Sequence, residues 1–180
     1  MKIFLAADHR GFELKNKIRE WLKEWGYEYE DMGAFEYDKD DDYPDFIRKA
    51  AEAVANDPER SRGIILGSSG QGEAIVANRY KGVRAAVFYG PPFNFKSKDI
   101  KRNPWILKIK SSIPWLADLN WTPIYYPIIR LSREHNNSNI LSIGASFVTK
   151  YSAKKAIKLW LETSFSEEER HIRRINKIDS

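Results

Sequence analysis

Gly63-Ile64-Ile65-Leu66, running directly into Gly67-Ser68-Ser69-Gly70-Gln71-Gly72-Glu73, is the stretch on which the fold turns. Four residues without a polar side chain suit a strand buried on both faces, the habit of a parallel sheet. A strand with one solvated face would alternate apolar and polar instead. The glycine-rich turn then opens a further helical pattern, so the unit reads strand, turn, helix.

The same rhythm extends outward in both directions. Residues 2–7 form a short apolar strand, and Leu14, Ile18, Trp21, Leu22 and Trp25 recur at the spacing of one buried helix face. Gly26 is a stop for that helix, and residues 27–32 read as a second strand. Pro44 suits a first helical position, ahead of an apolar face made by Phe46, Ile47, Ala50, Ala51 and Val54. Residues 83–89 and 139–143 supply strands four and five. Residues 152–165 make a helix with Ala156, Ile157, Trp160 and Leu161 inward, and Ser166 with Glu169 offers a capping box for the last helix. Alternation of this kind predicts an α/β fold: a three-layer α/β/α sandwich around a Rossmann-like five-stranded parallel sheet, in the common order 2-1-3-4-5.

Residues 91–129 break the rhythm. They hold six of the eight prolines and three of the six tryptophans, and their lysines and arginine against two aspartates account for +4 of the net charge of +5. Aromatic richness argues against disorder, and Asn103-Pro104 is a candidate start for a short helix. The segment reads as an ordered insertion within a single domain spanning 1–180. It packs on the surface or against a partner subunit, or else forms an active-site lid or a membrane contact.

The 180-residue length suits one domain, and the absence of cysteine excludes disulfide scaffolds, thiolate metal sites and a cysteine nucleophile. No apolar run approaches the roughly 20 residues of a membrane span. Residues 3–7 are too short for a signal-peptide core, so the expected location is cytoplasmic. With charge outside 91–129 nearly balanced, neither nucleic acid nor membrane is the expected partner.

Ligands of open parallel sheets bind beyond the carboxyl ends of the strands, where the strand order reverses. Asp8-His9 follows strand one and the glycine turn follows strand three, so the two should face each other across one crevice. The turn's amides form a cradle for an anionic oxygen, yet it lacks the Gly-Lys-Ser/Thr ending of a P-loop and the third glycine of a dinucleotide fingerprint. Glu73 is either a carboxylate complementing the helix dipole or a general base. His9 is a loop histidine or a ligand group, and Asp8 is placed to orient an imidazole. Arg170 and Arg174, four apart, project from one helix face that is either solvated or suited to phosphate. Three histidines without ligand spacing argue against a metal site, and the 38–42 acidic run reads as a solvated turn.

These motifs together resemble a known family. Ala7-Asp8-His9-Arg10-Gly11-Phe12-Glu13-Leu14-Lys15, Asp41-Asp42-Tyr43-Pro44, the glycine turn with Glu73, Ala77-Asn78, Arg133-Glu134-His135-Asn136-Asn137 and Arg170-His171-Ile172-Arg173-Arg174-Ile175 follow the order of the type B ribose-5-phosphate isomerases, whose family includes the galactose-6-phosphate isomerase subunits. The resemblance implies an aldose–ketose isomerase of phosphorylated sugars that needs neither metal nor cofactor. Ribose 5-phosphate is the expected substrate, a six-carbon sugar phosphate the alternative, and a non-catalytic sugar-phosphate binder the reading from another class. By the same resemblance, His135 with Asp8 would open the sugar ring and Glu73 would move the proton between C1 and C2. Ser69 and the backbone of Gly70 and Gly72 would stabilise the enediolate. Tyr43 and Asn136 would contact the sugar, and His9, Arg170 and Arg174 the phosphate. Some members carry a cysteine at the position of Gly67, whereas this chain matches the glutamate branch. The resemblance departs at Ser146, where an arginine commonly follows Gly144-Ala145, and at the insertion, which should emerge beside the crevice. A helix running back from strand four leaves His135 at the far end of the sheet, so the expected site is shared between subunits of a homodimer.

Overall fold

Parallel pairing runs through the whole sheet of the computed structural model, which describes residues 1–90 and 126–180. The helix expected from Asn103-Pro104 and most of the 91–129 segment lie outside the described residues. The strands are β1 Lys2–Ala7, β2 Glu28–Asp31, β3 Ser61–Gly67, β4 Ala85–Phe88 and β5 Ile140–Gly144. The described helices are α1 Phe12–Glu24, α2 Tyr43–Asn56, α3 Gln71–Ala77, α4 Tyr126–Glu134, α5 Lys150–Glu162 and α6 Glu169–Ile175.

The strand order is β2-β1-β3-β5-β4, which corrects the expected 2-1-3-4-5 by exchanging the last two. Burial explains the exchange. All five residues of β5 are buried, with Ile140, Leu141 and Ile143 filling both faces, whereas Ala85, Ala86 and Val87 of β4 are only half covered. The more apolar strand takes the inner place and the short alanine-rich one closes the edge.

Two cores sandwich the sheet. On one face α1, α4 and α5 bury Leu14, Ile18, Leu22, Ile129, Ile157 and Trp160 against Ile3, Leu5, Ile64 and Leu66. On the other, α2 places Ile47, Ala50, Ala51 and Val54 over Phe4, Ala6 and Ile65, with Ala77 of α3 beside them. Pro44 stands in the first turn of α2 as expected, and Gly26 ends α1 at φ +77°, a left-handed conformation that glycine adopts without strain. Residues 126–129 already belong to α4, and Ile129 is fully in the core, so the break in the α/β pattern stops short of 129. The capping box forms at Thr149 and Ser152 of α5, whereas the one expected at Ser166 and Glu169 is absent. Ser166 instead donates its amide to the Glu134 carbonyl at 3.1 Å, and Glu167 turns through φ +56° before α6 begins.

Candidate active site

At the carboxyl end of the sheet the turns after β1 and β3 meet as expected. The Asp8 amide donates to the Leu66 carbonyl, and a Cβ on Gly11 would stand 2.5 Å from that of Leu66, so only glycine lets these turns close together. Asp8 is buried, and its Oδ1 accepts from the amides of Arg10 at 2.9 Å and Gly11 at 3.0 Å. Burial raises its pKa, against the pull of those amides.

Glu73 lies in the first turn of α3, buried among Gly67, Gly70 and Asp8. Burial above all, and the Asp8 charge after it, raises its pKa. Its Oε2 is buried without a hydrogen-bond partner. A buried carboxylate with an uncommitted oxygen and an elevated pKa is suited to accept a proton from a weak carbon acid. Gly67 makes room for it, since a Cβ there would stand 1.7 Å from Glu73 Oε1. Glu73 therefore occupies the volume that a side chain at position 67 would fill.

The glycine cradle is fixed from several sides. Gly70 takes φ +74°, and its carbonyl accepts from Ser142 Oγ at 2.6 Å. A Cβ on Gly144 would stand 2.8 Å from the Ser69 carbonyl oxygen, and one on Gly72 would meet the Tyr43 ring at 2.8 Å. Tyr43 thus lies directly over the start of α3. Ser69 Oγ accepts from the Gln71 amide at 3.3 Å, while Ser68 and Ser146 pair through their hydroxyls at 3.0 Å. Ser146, where the family arginine is missing, therefore closes onto the turn rather than reaching outward. Tyr89 bonds the Gln71 side chain and meets the Phe147 ring edge-on, so the chain departs toward residue 91 beside this turn, where the sequence led one to expect it.

His9 is held by a residue the sequence reading passed over. The 38–42 run is not wholly solvated: the Asp41 side chain is 7% exposed, and its Oδ1 accepts from the His9 amide at 3.1 Å and lies 2.6 Å from His9 Nδ1. Asp41, not Asp8, orients the imidazole, because Asp8 is taken up by its own turn amides. Asp8, His9 and Asp41 place ligand atoms within 4.8 Å of one another, a grouping that could hold a metal ion. In this structure His9 Nδ1 and Asp41 Oδ1 are engaged with each other, while Asp41 Oδ2 is buried without a hydrogen-bond partner.

His135, Asn136, Arg170 and Arg174 gather elsewhere. The 135–137 loop precedes β5, so it lies at the amino end of the sheet, where Arg84 Nε reaches the Asn137 carbonyl at 3.0 Å. The His135 ring stacks on that of His171 at 4.3 Å, and burial lowers the His171 pKa, favouring the neutral ring. Arg170 pairs with Glu168 at 2.7 Å. A second residue the sequence reading left unused, Arg133, ties this region together. Its Nε donates to the Thr163 carbonyl at 3.1 Å and its Nη1 to Asn137 Oδ1 at 2.8 Å, and burial pushes its pKa down to about 10. A cavity of about 600 Å³, lined in part by Arg84, Asn137, Ile172 and Ile175, opens at this same amino end, away from Glu73. Between the two groups lie the five residues of β5, about 17 Å of strand. No side chain of one chain spans that distance.

Comparison with known proteins fits this geometry. The family model described as Ribose/Galactose Isomerase matches residues 3–98 and 127–178. Ribose-5-phosphate isomerase B of Mycobacterium leprae is 36% identical over 176 residues, 98% of this chain and 86% of that protein. The crystal structure of ribose-5-phosphate isomerase B from Mycoplasma genitalium, with bound ribulose 5-phosphate, superposes at a TM-score of 0.76 with 30% identity, covering 98% of this chain and 93% of that one. The Clostridium thermocellum ribose-5-phosphate isomerase B gives 0.75 with 33% identity, over 99% and 95%. On the extent of the family match and the identity to these relatives, the chain belongs to the ribose/galactose isomerase family.

Proposed function

We propose that this chain is an aldose–ketose isomerase converting ribose 5-phosphate to ribulose 5-phosphate through an enediolate, with Glu73 as the base. The observation that carries the reading is the buried Glu73 carboxylate, one oxygen uncommitted, set in a glycine cradle at the carboxyl end of the sheet. Isomerisation moves one proton between neighbouring carbons. Glu73 takes the proton from C2 of the open-chain aldose, the electron pair forms the C1–C2 double bond, and negative charge develops on oxygen. The hydroxyl of Ser69 and the amides of Gly70 and Gly72 supply the fixed donors for that charge. Glu73 then returns the proton to C1 while the proton of the C2 hydroxyl passes to O1, leaving the carbonyl at C2 and a hydroxyl at C1. Before this step the furanose ring must open, which needs a base at the anomeric hydroxyl and an acid at the ring oxygen, the roles given to His135 with Asp8. Tyr43 and Asn136 contact the sugar. His9, Arg170 and Arg174 bind the phosphate, whose remote binding energy is used at the reacting carbons.

His135, Asn136, Arg170 and Arg174 reach a crevice only in a neighbouring copy, so the active form is a homodimer with two shared sites. A single domain of 1–180, with the segment after β4 inserted in it, provides both halves. Its place is the cytoplasm, in the pentose-phosphate part of carbohydrate metabolism, because sugar phosphates are charged and stay within the cell. Proton NMR of ribose 5-phosphate in deuterium oxide tests the chemistry: deuterium at C2 and appearance of ribulose 5-phosphate are expected, and both vanish in Glu73→Gln. Failure of the wild-type protein with five- and six-carbon sugar phosphates alike would reject catalysis. Mixing inactive Glu73→Gln and His135→Ala subunits tests the shared site. Random pairing rebuilds one intact site in half of the dimers, so about a quarter of wild-type activity returns. No recovery after verified subunit exchange would refute the arrangement.

A further inference from the structure

We propose that Asp41 is a positioning residue for phosphate recognition, fixing the His9 imidazole so that Nε2 is the nitrogen presented to the substrate; this rests on His9 binding the phosphate. Asp41 reaches His9 from the loop before α2, 32 residues away in sequence. One of its oxygens accepts both from the His9 amide at 3.1 Å and from the ring side at Nδ1, 2.6 Å away, so backbone and imidazole are registered on a single atom. A carboxylate only accepts, which assigns the Nδ1 proton to His9 in either charge state of the ring. The nitrogen left to face an anion is then Nε2. Tyr37 closes the ring from the side, edge-on at 6.3 Å between centroids, and Phe12 supports Tyr37 in the same way at 6.2 Å. The imidazole is 18% exposed, so it is open to a ligand while Asp41 beneath it is nearly closed to water. Asp8, the other carboxylate within reach, spends its Oδ1 on the Arg10 and Gly11 amides and gives the ring no competing hold.

An imidazole free to rotate would offer Nδ1 as often as Nε2 and would lose freedom on binding. Asp41 removes both costs in advance, so its loss should appear in substrate capture rather than in proton transfer. The test is a double-mutant cycle on His9→Ala, Asp41→Ala and the pair, read as KM and kcat for ribose 5-phosphate and as competitive inhibition by inorganic phosphate. Asp41→Ala should raise KM and the phosphate inhibition constant about tenfold while kcat stays within about twofold. The double variant should be no worse than His9→Ala alone. Asp41→Asn, which keeps an acceptor oxygen for Nδ1–H, should recover most of the loss and shows that the loop still folds. Penalties that multiply in the double variant, or a fall in kcat with KM unchanged, would overturn the proposal. If His9→Ala itself leaves phosphate inhibition unchanged while Asp41→Ala alters it, the role of His9 falls and this proposal with it. If His9→Ala weakens phosphate and Asp41→Ala does not, the role of His9 stands and only that of Asp41 is lost.

Discussion

Gly67→Ala is the smallest substitution that should disable Glu73 without touching it. An alanine Cβ at 67 would stand 1.7 Å from Glu73 Oε1 and 2.3 Å from Cδ, where ordinary contact begins at 3.4 Å. The backbone is poorly placed to yield. Gly67 ends the buried strand β3, it pairs with Gly144 of β5, and its carbonyl accepts from Ala145 at 2.8 Å. The carboxylate must therefore retreat by about 1.7 Å, and misplacement of a catalytic group by about 1 Å costs on the order of a hundredfold. We expect kcat for ribose 5-phosphate to fall by about 10²–10³-fold, with KM within about threefold because the phosphate contacts lie elsewhere. The assay is steady-state ketose formation, paired with deuterium exchange at C2 to separate proton transfer from later steps. Thermal unfolding is the control: Gly67→Ala should melt below the parent, and Gly67→Ala/Glu73→Ala should regain stability while staying inactive, since the colliding group is gone. A folded Gly67→Ala protein with kcat within about threefold of the parent would refute the packing argument.

Three further outcomes follow from the same site. Gly67→Cys in the Glu73→Ala background places a thiol in the vacated volume; C2 exchange should rise about tenfold over Glu73→Ala alone and disappear on alkylation, and no gain would show that the two positions do not share one place. Burial, and after it the Asp8 charge, raises the Glu73 pKa, so the folded protein holds that proton more tightly than the unfolded chain. Its stabilising contribution is complete below the unfolded value and is lost as pH rises through the folded one; Glu73→Gln should therefore melt above the parent at pH 8, with the two converging near pH 4, and a constant difference would refute the assignment. Lys15, fully buried, pairs with Asp31 and donates to the Ala34 carbonyl at 2.7 Å; Lys15→Met takes both contacts away but leaves Asp31 with Arg19 at 3.4 Å and the Gly33 amide at 3.0 Å, so it should cost about 1–3 kcal/mol in urea unfolding, and no measurable loss would mean that the pair is solvated.

The central units of this fold were legible because they rest on local pattern. β3 with its glycine turn, the buried face of α1 and the stop at Gly26 each depend on residues within a dozen positions of one another. The facing of the glycine turn and the Asp8-His9 turn followed from topology, as parallel strands open their ligand crevice at one end, whereas the role of Glu73 rested on the family resemblance. The order of β4 and β5 was not legible, for both are short apolar runs and their neighbours are decided by relative burial across the sheet. Asp41 was hidden for a different reason. Within an acidic run its composition matches a solvated turn, and only the meeting of two loops turns one carboxylate toward His9. Arg133 is not legible as a structural tie, because its partners at Thr163 and Asn137 are carbonyl and amide oxygens that carry no charge signal in the sequence.

The exchanged strand order also decides which face α4 takes and which place in the sheet the 135–137 loop leads into. Parallel crossovers are right-handed, so the face a helix takes depends on the direction in which the chain steps across the sheet. β1 to β2 steps one way with α1; β2 to β3 and β3 to β4 step the other way with α2 and α3. With β5 inside β4, the return step matches that of α1, and α4 falls on the α1 face, where Ile129 joins the core of Ile18 and Trp160. In the order 2-1-3-4-5, α4 would have landed with α2 and α3. The return also carries the 135–137 loop inward, to the amino end of the strand next to β3 rather than to the sheet edge. Glu73 and His135 thus sit at opposite ends of neighbouring strands, and under the proposed shared site a two-fold axis would set one sheet's amino end against its partner's carboxyl end and complete two identical sites at once. Specific activity should then fall on dilution in step with the loss of dimer by light scattering. Full activity in a dilute, verified monomer would show that one chain suffices, and the division of residues between the ends of the sheet would need another purpose.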